Sequence, residues 1–298
     1  MSLCAAVCKI KKDLTGQVVI ITGGNTGIGK ETARALAKMN ATIILACRDP
    51  KRTLPVVDEL KDDTKNLNIE FIQLDLADLS SIKAFAEEFK NKYQQLNILI
   101  NNAGVTLPER KLTKDGFEMQ FGTNHLGHFY LTNLLLDVIE KSAPSRIINV
   151  SSMLHANCKQ VNWDDIMFER NYQFMTVYAQ SKLANNLFTK KLQQRLEGKN
   201  VKVVSLHPGA VKTELVRSIT EKWYMALAIA IVKPFWKNAQ EGAQTSLQCA
   251  LEDHDKLAGG MYYSDCKVKK ESKMALNQES ADRLWALSEE LISKALSK

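Results

Sequence analysis

Residues 17–33 read QVVIITGGNTGIGKETA, and the fold is decided there. A Val/Ile run without polar alternation suits a strand buried on both faces. Thr22-Gly23-Gly24-Asn25-Thr26-Gly27-Ile28-Gly29 is a glycine-rich turn, and Lys30-Glu31-Thr32-Ala33 opens a helical pattern. A strand that passes through glycines into a helix amino terminus presents free N–H groups and the positive end of the helix dipole, and Gly27 and Gly29 let that backbone approach a pyrophosphate closely. The spacing is not Gly-x-Gly-x-x-Gly, and no Lys-Ser/Thr pair closes a Walker A loop, which removes the ATPase reading. A glycine-rich turn can also be no more than a tight connection; its place directly after the first apolar run favours the anion site.

The same rhythm continues outward. Apolar runs at 41–47, 69–76, 97–104, 146–152 and 201–209 alternate with helical patterns, among them a long helix through Asn124 and Leu136 and another from Tyr178 to about Leu196. Continuous apolar strands alternating with helices predict an α/β fold: a single doubly wound Rossmann-type domain, with a parallel sheet of about seven strands and helices on both faces. Residues 1–15 read as an amino-terminal extension and 16–298 as the domain, because no composition shift or Gly/Ser linker marks a second one.

The 298 residues carry 40 Lys plus Arg against 33 Asp plus Glu, a formal charge of +7, with 45% hydrophobic and 24% charged residues. That balance excludes disordered and low-complexity classes. The six cysteines are scattered without a Cys-x-x-Cys pair, so a reducing compartment is expected and no zinc site. His125 and His128 have no carboxylate or cysteine at metal-ligand spacing and read as packing residues. The amino terminus has too short an apolar stretch for a secretory or spanning segment. A cytoplasmic protein is expected. The lysine groups Lys9, Lys11, Lys12 and Lys267, Lys269, Lys270 read as solvated faces, with no nucleic-acid motif beside them.

The second apolar run ends Ala46-Cys47-Arg48-Asp49. A dinucleotide site that selects NAD usually has a carboxylate at this tip for the ribose 2′-hydroxyl; here Cys47 takes that place and a guanidinium follows. Arg48 would pair with a ribose 2′-phosphate, so NADP (NADPH) is favoured and NAD is less expected. Asp49 turned inward would restore NAD.

With Tyr178-Ala179-Gln180-Ser181-Lys182 in view, the sequence resembles the short-chain dehydrogenase/reductase family. The resemblance covers nearly the whole chain, through Thr22 to Gly29, Asp75-Leu76, Asn101-Asn102-Ala103-Gly104, Asn124, Ser151-Ser152, Tyr178 to Lys182 and His207-Pro208-Gly209, in the family's order. Tyr178 and Lys182 are i and i+4 on a helix and share a face. A neighbouring cation favours phenolate, so the phenol is expected below its ordinary pKa near ~10, able to act as general acid on a carbonyl or base on an alcohol. Ser152 lies at the carboxyl end of a strand, where open α/β sheets place their ligand crevice, and the family's alignment favours it over Ser151 as the residue that positions the substrate oxygen. The resemblance implies that Asn124 holds a water joining Lys182 to solvent and completes a tetrad. It implies cofactor contacts from Gly23, Asn25, Thr26, Gly27, Ile28 and Gly29, from Asp75 and Leu76 at the adenine, from Asn102, Ala103 and Gly104 at the ribose, and from Tyr178 and Lys182. It adds Pro208 and Gly209, and Thr213 at the nicotinamide carboxamide.

Within the family the chain is similar to the retinol dehydrogenase-like branch, on Asn25 to Thr32, Leu45 to Asp49, Asn124 to Phe129, Glu241 to Ser246 and Tyr262 to Cys266. That likeness implies interconversion of a lipophilic aldehyde or ketone, retinal-like, and its alcohol with NADP(H). A substrate lid is expected at about 214–240. Its apolar run 223–232, between Lys222 and Lys233, reads as a pocket wall, a packed helix or a peripheral membrane contact. Family likeness further implies a homodimer through the helices around Asn124 and Tyr178, although some relatives are monomeric. The alternative function is a non-catalytic NADPH-binding redox sensor or scaffold.

Overall fold

A computed structural model describes residues 6–211 and 237–297. Seven parallel strands and one antiparallel edge strand form a single sheet in the order β3-β2-β1-β4-β5-β6-β7-β8. They are β1 (Val18–Thr22), β2 (Thr42–Cys47), β3 (Ile69–Gln73), β4 (Ile98–Asn101), β5 (Ser145–Val150), β6 (Val201–His207), β7 (Tyr262–Ser264) and β8 (Lys267–Val268). The doubly wound α/β expectation holds, with eight strands in place of about seven. The extra pair, β7 and β8, is too short to stand out as an apolar run: β7 adds parallel to β6, and β8 returns antiparallel through a turn at Asp265 and Cys266, both at positive φ.

Period-two alternation divides the sheet residues between two cores. Val18, Ile20, Ile44, Ile72, Leu99 and Ile147 face α3 (Leu79–Lys92), α4 (His128–Lys141), α5 (Phe174–Arg195) and α7 (Gln278–Leu296). Val19, Ile21, Ile43, Leu45, Ile100 and Ile148 face α1 (Gly27–Ala37), α2 (Pro50–Thr64) and α6 (Ala239–Leu251). Residues 6–15 run across the second of these layers: Cys8 N–H donates to Gln244 Oε1 at 3.0 Å, Lys12 pairs with Asp253 at 2.7 Å, and Leu14 is buried.

The order places β2 and β4 on opposite sides of β1, so the chain crosses the sheet in opposite directions from that point and a crevice opens beyond the strand ends. The long helix expected through Asn124 is interrupted. One helical turn (Met119–Phe121) leads into a π-helical stretch (Gly122–Gly127) before α4 begins. α7 lies on α4 and α5, with the Trp285 ring 4.8 Å from Phe129 and 5.9 Å from Phe188. A dimer through the helices around Asn124 and Tyr178 would therefore have to use faces that α7 leaves uncovered. Among the described residues no helix is long and apolar enough to cross a membrane.

Candidate active site

The turn after β1 is built by close approach. Gly23 and Gly27 take φ of +63° and +54°, and a Cβ on Gly29 would strike the Gly23 carbonyl and stand 2.6 Å from Asn102 Nδ2. Asn102 Nδ2 in turn donates to the Thr22 carbonyl at 2.8 Å, which locks the turn to the end of β4. Thr26 is the N-cap of α1, yet its side chain makes no capping bond and the first turn has no acidic residue. The amino-terminal N–H groups of α1 thus lack the side-chain acceptor that most helices supply, which fits an anionic ligand.

That turn, the end of β4, the end of β5 and α5 surround one cavity of about 470 Å³. Of the expected residues, Gly23, Thr26, Gly27, Ile28, Gly29, Asn102, Ala103, Gly104, Ser152, Tyr178, Lys182, Pro208 and Gly209 line it. Asn25, Arg48, Asp75, Leu76 and Asn124 do not. Asn25 donates to Thr53 Oγ1 at 3.1 Å and so ties the turn to α2. Arg48 is exposed at the tip of β2, and Asp49 caps α2, its Oδ1 accepting from Lys51 N–H at 2.9 Å. Asp75 and Leu76 fall in the loop beyond β3 rather than at its end; Asp75 Oδ1 accepts from Ala77 N–H, and the Leu76 carbonyl lies where a Cβ on Gly127 would have to be. Thr213 and nearly all of 214–240 are outside the described residues.

Tyr178 and Lys182 lie one turn apart on α5, with Nζ 5.6 Å from the centre of the phenol ring. Nζ donates to the Val150 carbonyl at 3.0 Å, and the Ser151 hydroxyl donates to the Lys182 carbonyl at 2.8 Å. Ser152 Oγ accepts from Leu154 N–H and bonds the phenol. The expected acidification of Tyr178 does not occur. Burial pushes the phenol up to about 12, with Ser152 opposing, and the same burial pulls Lys182 down to about 8. Both groups are enclosed, and loss of water disfavours each charged form more than their proximity helps. At neutral pH the pair is a neutral phenol beside an ammonium.

Asn124 is fully buried and acts as a staple. Its Oδ1 accepts from Val105 N–H at 2.8 Å, while Nδ2 donates to the Val105 carbonyl and to Ser181 Oγ, each at 3.0 Å. Oδ1 and Lys182 Nζ both crowd Gly104, where a Cβ would meet them at 3.3 and 3.4 Å. His125 packs among Phe121, Phe129 and Phe188, as its sequence context implied.

Several lining residues escaped the sequence reading: Thr106, Met153, Leu154 and Met175. Some signal was there. Met153 and Leu154 follow Ser152 directly, and Met175 precedes Tyr178 by one helical turn. Among the described residues no group of three or more His, Cys, Asp or Glu could hold a metal ion.

Known proteins share this fold. A family model described as short chain dehydrogenase matches residues 17–223. Retinol dehydrogenase 12 of Homo sapiens is 47% identical over 286 residues, covering 96% of this chain and 89% of that protein. Retinol dehydrogenase 11 of Homo sapiens is 44% identical, covering 97% and 90%. Among solved structures, an uncharacterized protein from Mycobacterium Paratuberculosis superimposes with a TM-score of 0.77 at 34% identity, covering 97% of each chain. A Pseudomonas aeruginosa RhlG/NADP active-site complex shares the fold, with a TM-score of 0.68 at 22% identity, covering 84% of this chain and 94% of that one.

Proposed function

The chain belongs to the short-chain dehydrogenase family, and on that premise we propose that it interconverts a lipophilic aldehyde or ketone and its alcohol with NADP(H), Tyr178 serving as general acid/base. The observation that carries this reading is the convergence of Ser152, Tyr178 and Lys182 on the cavity that the glycine-rich turn also lines. The retinol dehydrogenases among its relatives support a lipophilic substrate. So do Met153, Leu154, Met175, Val150 and Val211 around the same cavity.

The residues fit the nucleotide. The uncapped start of α1 and the Gly23–Gly29 turn would hold its pyrophosphate, Asn102 to Gly104 its ribose, and Arg48 a 2′-phosphate. Asp49, the nearest carboxylate, accepts the Lys51 N–H as the cap of α2, which supports NADP over NAD. A nicotinamide held there would supply or accept the hydride. Ser152 Oγ orients the substrate oxygen. In reduction the phenol of Tyr178, protonated at neutral pH, gives its proton to that oxygen, and the Lys182 ammonium favours the phenolate left behind. In oxidation the same proton returns to Tyr178. Asn124 fixes the 102–105 segment against α5, so Lys182 and Gly104 keep their spacing.

A dimer, and a peripheral membrane contact by 223–232, remain part of this reading. Cys8, Cys47, Cys158, Cys249 and Cys266 are free thiols, which suits a reducing cytoplasm. A panel of lipophilic aldehydes and ketones assayed with NADPH and NADH in parallel, on the wild type and on Tyr178→Phe, tests the reading. Turnover with NADPH that falls about 100-fold or more in the variant is expected. Unchanged turnover in Tyr178→Phe removes the role given to the phenol.

A further inference from the structure

His128 is 2% exposed, lies at the start of α4, and does not line the cavity. Its ring is nevertheless bonded at both ends. Nε2 is 2.9 Å from Thr22 Oγ1, and Nδ1 is 3.0 Å from the Asn124 carbonyl. The two ends fix the proton independently. Thr22 Oγ1 accepts the N–H groups of Asn102 and Ala103, both at 2.9 Å, so its own hydrogen goes to His128 Nε2 rather than to the Ile100 carbonyl at 3.5 Å. At the other end a carbonyl can only accept, so Nδ1 carries the hydrogen. Both arguments give the same neutral Nδ1–H tautomer.

The ring sits where the π-helical stretch ends: the His128 backbone N–H donates to the His125 carbonyl, three residues back, and Nδ1 meets the Asn124 carbonyl, four residues back. The elements joined are 106 residues apart in sequence, Thr22 at the end of β1 and His128 beyond Asn124.

We propose that His128, as the neutral Nδ1–H tautomer, is a positioning residue that holds the Asn124 turn and the β1 and β4 strand ends in one hydrogen-bonded frame. Thr22 is the shared post: it holds the amides of Asn102 and Ala103, which line the cavity, while the ring holds the backbone of Asn124, whose side chain holds Val105 and Ser181. Burial keeps the imidazole neutral, down to about 4, with the Asn124 bond opposing and Lys182 adding to the effect. What the frame serves rests on the function proposed above; the frame itself does not.

Long-range 1H–15N spectroscopy of the wild-type protein at pH 7, with the His128 ring assigned by its absence from His128→Asn, reads the tautomer and needs neither cofactor nor substrate. Hydrogen on Nδ1 alone is expected. Hydrogen on Nε2, or on both nitrogens, overturns the proposal. Two half-replacements carry the test to the site. His128→Asn keeps a donor where Nδ1 stood and gives up Thr22; His128→Gln keeps an acceptor where Nε2 stood and gives up the Asn124 carbonyl. NADPH affinity by fluorescence titration is expected to weaken about 3- to 10-fold in His128→Asn and to stay within about twofold in His128→Gln, as loss of one neutral hydrogen bond implies. The kcat on an accepted carbonyl is expected to fall about 10-fold in His128→Gln and to hold in His128→Asn. Equal losses of both quantities in the two variants point to packing alone and overturn the proposal. A wild type that binds NADPH but turns over no carbonyl defeats the proposed function, while tautomer and titration still decide the role of His128.

Discussion

Replacing Lys182 by Met should abolish turnover and make the protein more stable. The amine is 3% exposed and burial lowers it from 10.5 to about 8. At ~1.36 kcal/mol per pH unit, keeping it charged in the fold costs about 3 kcal/mol at pH 7 and about 1.5 at pH 9.5. The sign follows from proton counts: between pH 8 and 10.5 the unfolded chain holds more protons than the folded one, so wild-type stability rises with pH across that window. Met keeps the aliphatic stem and removes the charge. It gives up the bond from the ammonium Nζ to the Val150 carbonyl, worth ~2 kcal/mol at pH 7 and ~1 once the amine is neutral, though Asn185 Nδ2 still reaches that oxygen at 3.3 Å. The net gain is about 1 kcal/mol at pH 7, a midpoint rise of roughly 2 °C for a chain of this length, shrinking toward zero by pH 9.5. Thermal or urea unfolding of both proteins at pH 7 and 9.5 measures it. A variant no more stable at pH 7, or a difference that does not shrink with pH, would refute the burial argument. Stability gained by deleting a reacting group is the expected trade where a site is built against folding preference.

Three further outcomes are expected. Arg48→Asp should weaken NADPH by roughly 10-fold or more and improve NADH relative to it, since a charge-assisted contact becomes a repulsion; parallel KM values check this, and an unchanged ratio removes Arg48 from cofactor choice. Gly29→Ala should lose nucleotide binding, because its Cβ would run into the Gly23 carbonyl, a backbone atom that cannot swing aside; titration with NADPH at wild-type affinity would contradict the packed turn. Trp285→Ala empties the seam between α4, α5 and α7 and should cost about 3–5 kcal/mol, a midpoint drop of roughly 5–8 °C for a chain of this length; sedimentation in the same samples shows whether the uncovered face then pairs.

The strands and most helices were legible because they rest on short-range rules. Apolar continuity over five or six residues marks a strand buried on both faces, and all five residues of β1 are buried. The turn at 22–29 was legible for the same reason, since glycine permits φ values that other residues resist. β7 and β8 were not, being three and two residues long and held by pairing with a distant strand. Asn124 was visible as an oddity within a helix, but nothing local distinguishes a π-helical turn from a continuous one.

The amino-acid order alone thus determined the α/β rhythm, the glycine-rich turn and the one-turn spacing of Tyr178 and Lys182, all consequences of chain sterics and helical periodicity within a few residues. Tertiary structure decided the charge state of that pair and the task of His128. Those depend on how much water is excluded and on which groups arrive from far along the chain: enclosure outweighs the expected effect of Lys182 on the phenol, and the hydroxyl that gives His128 its tautomer comes from β1.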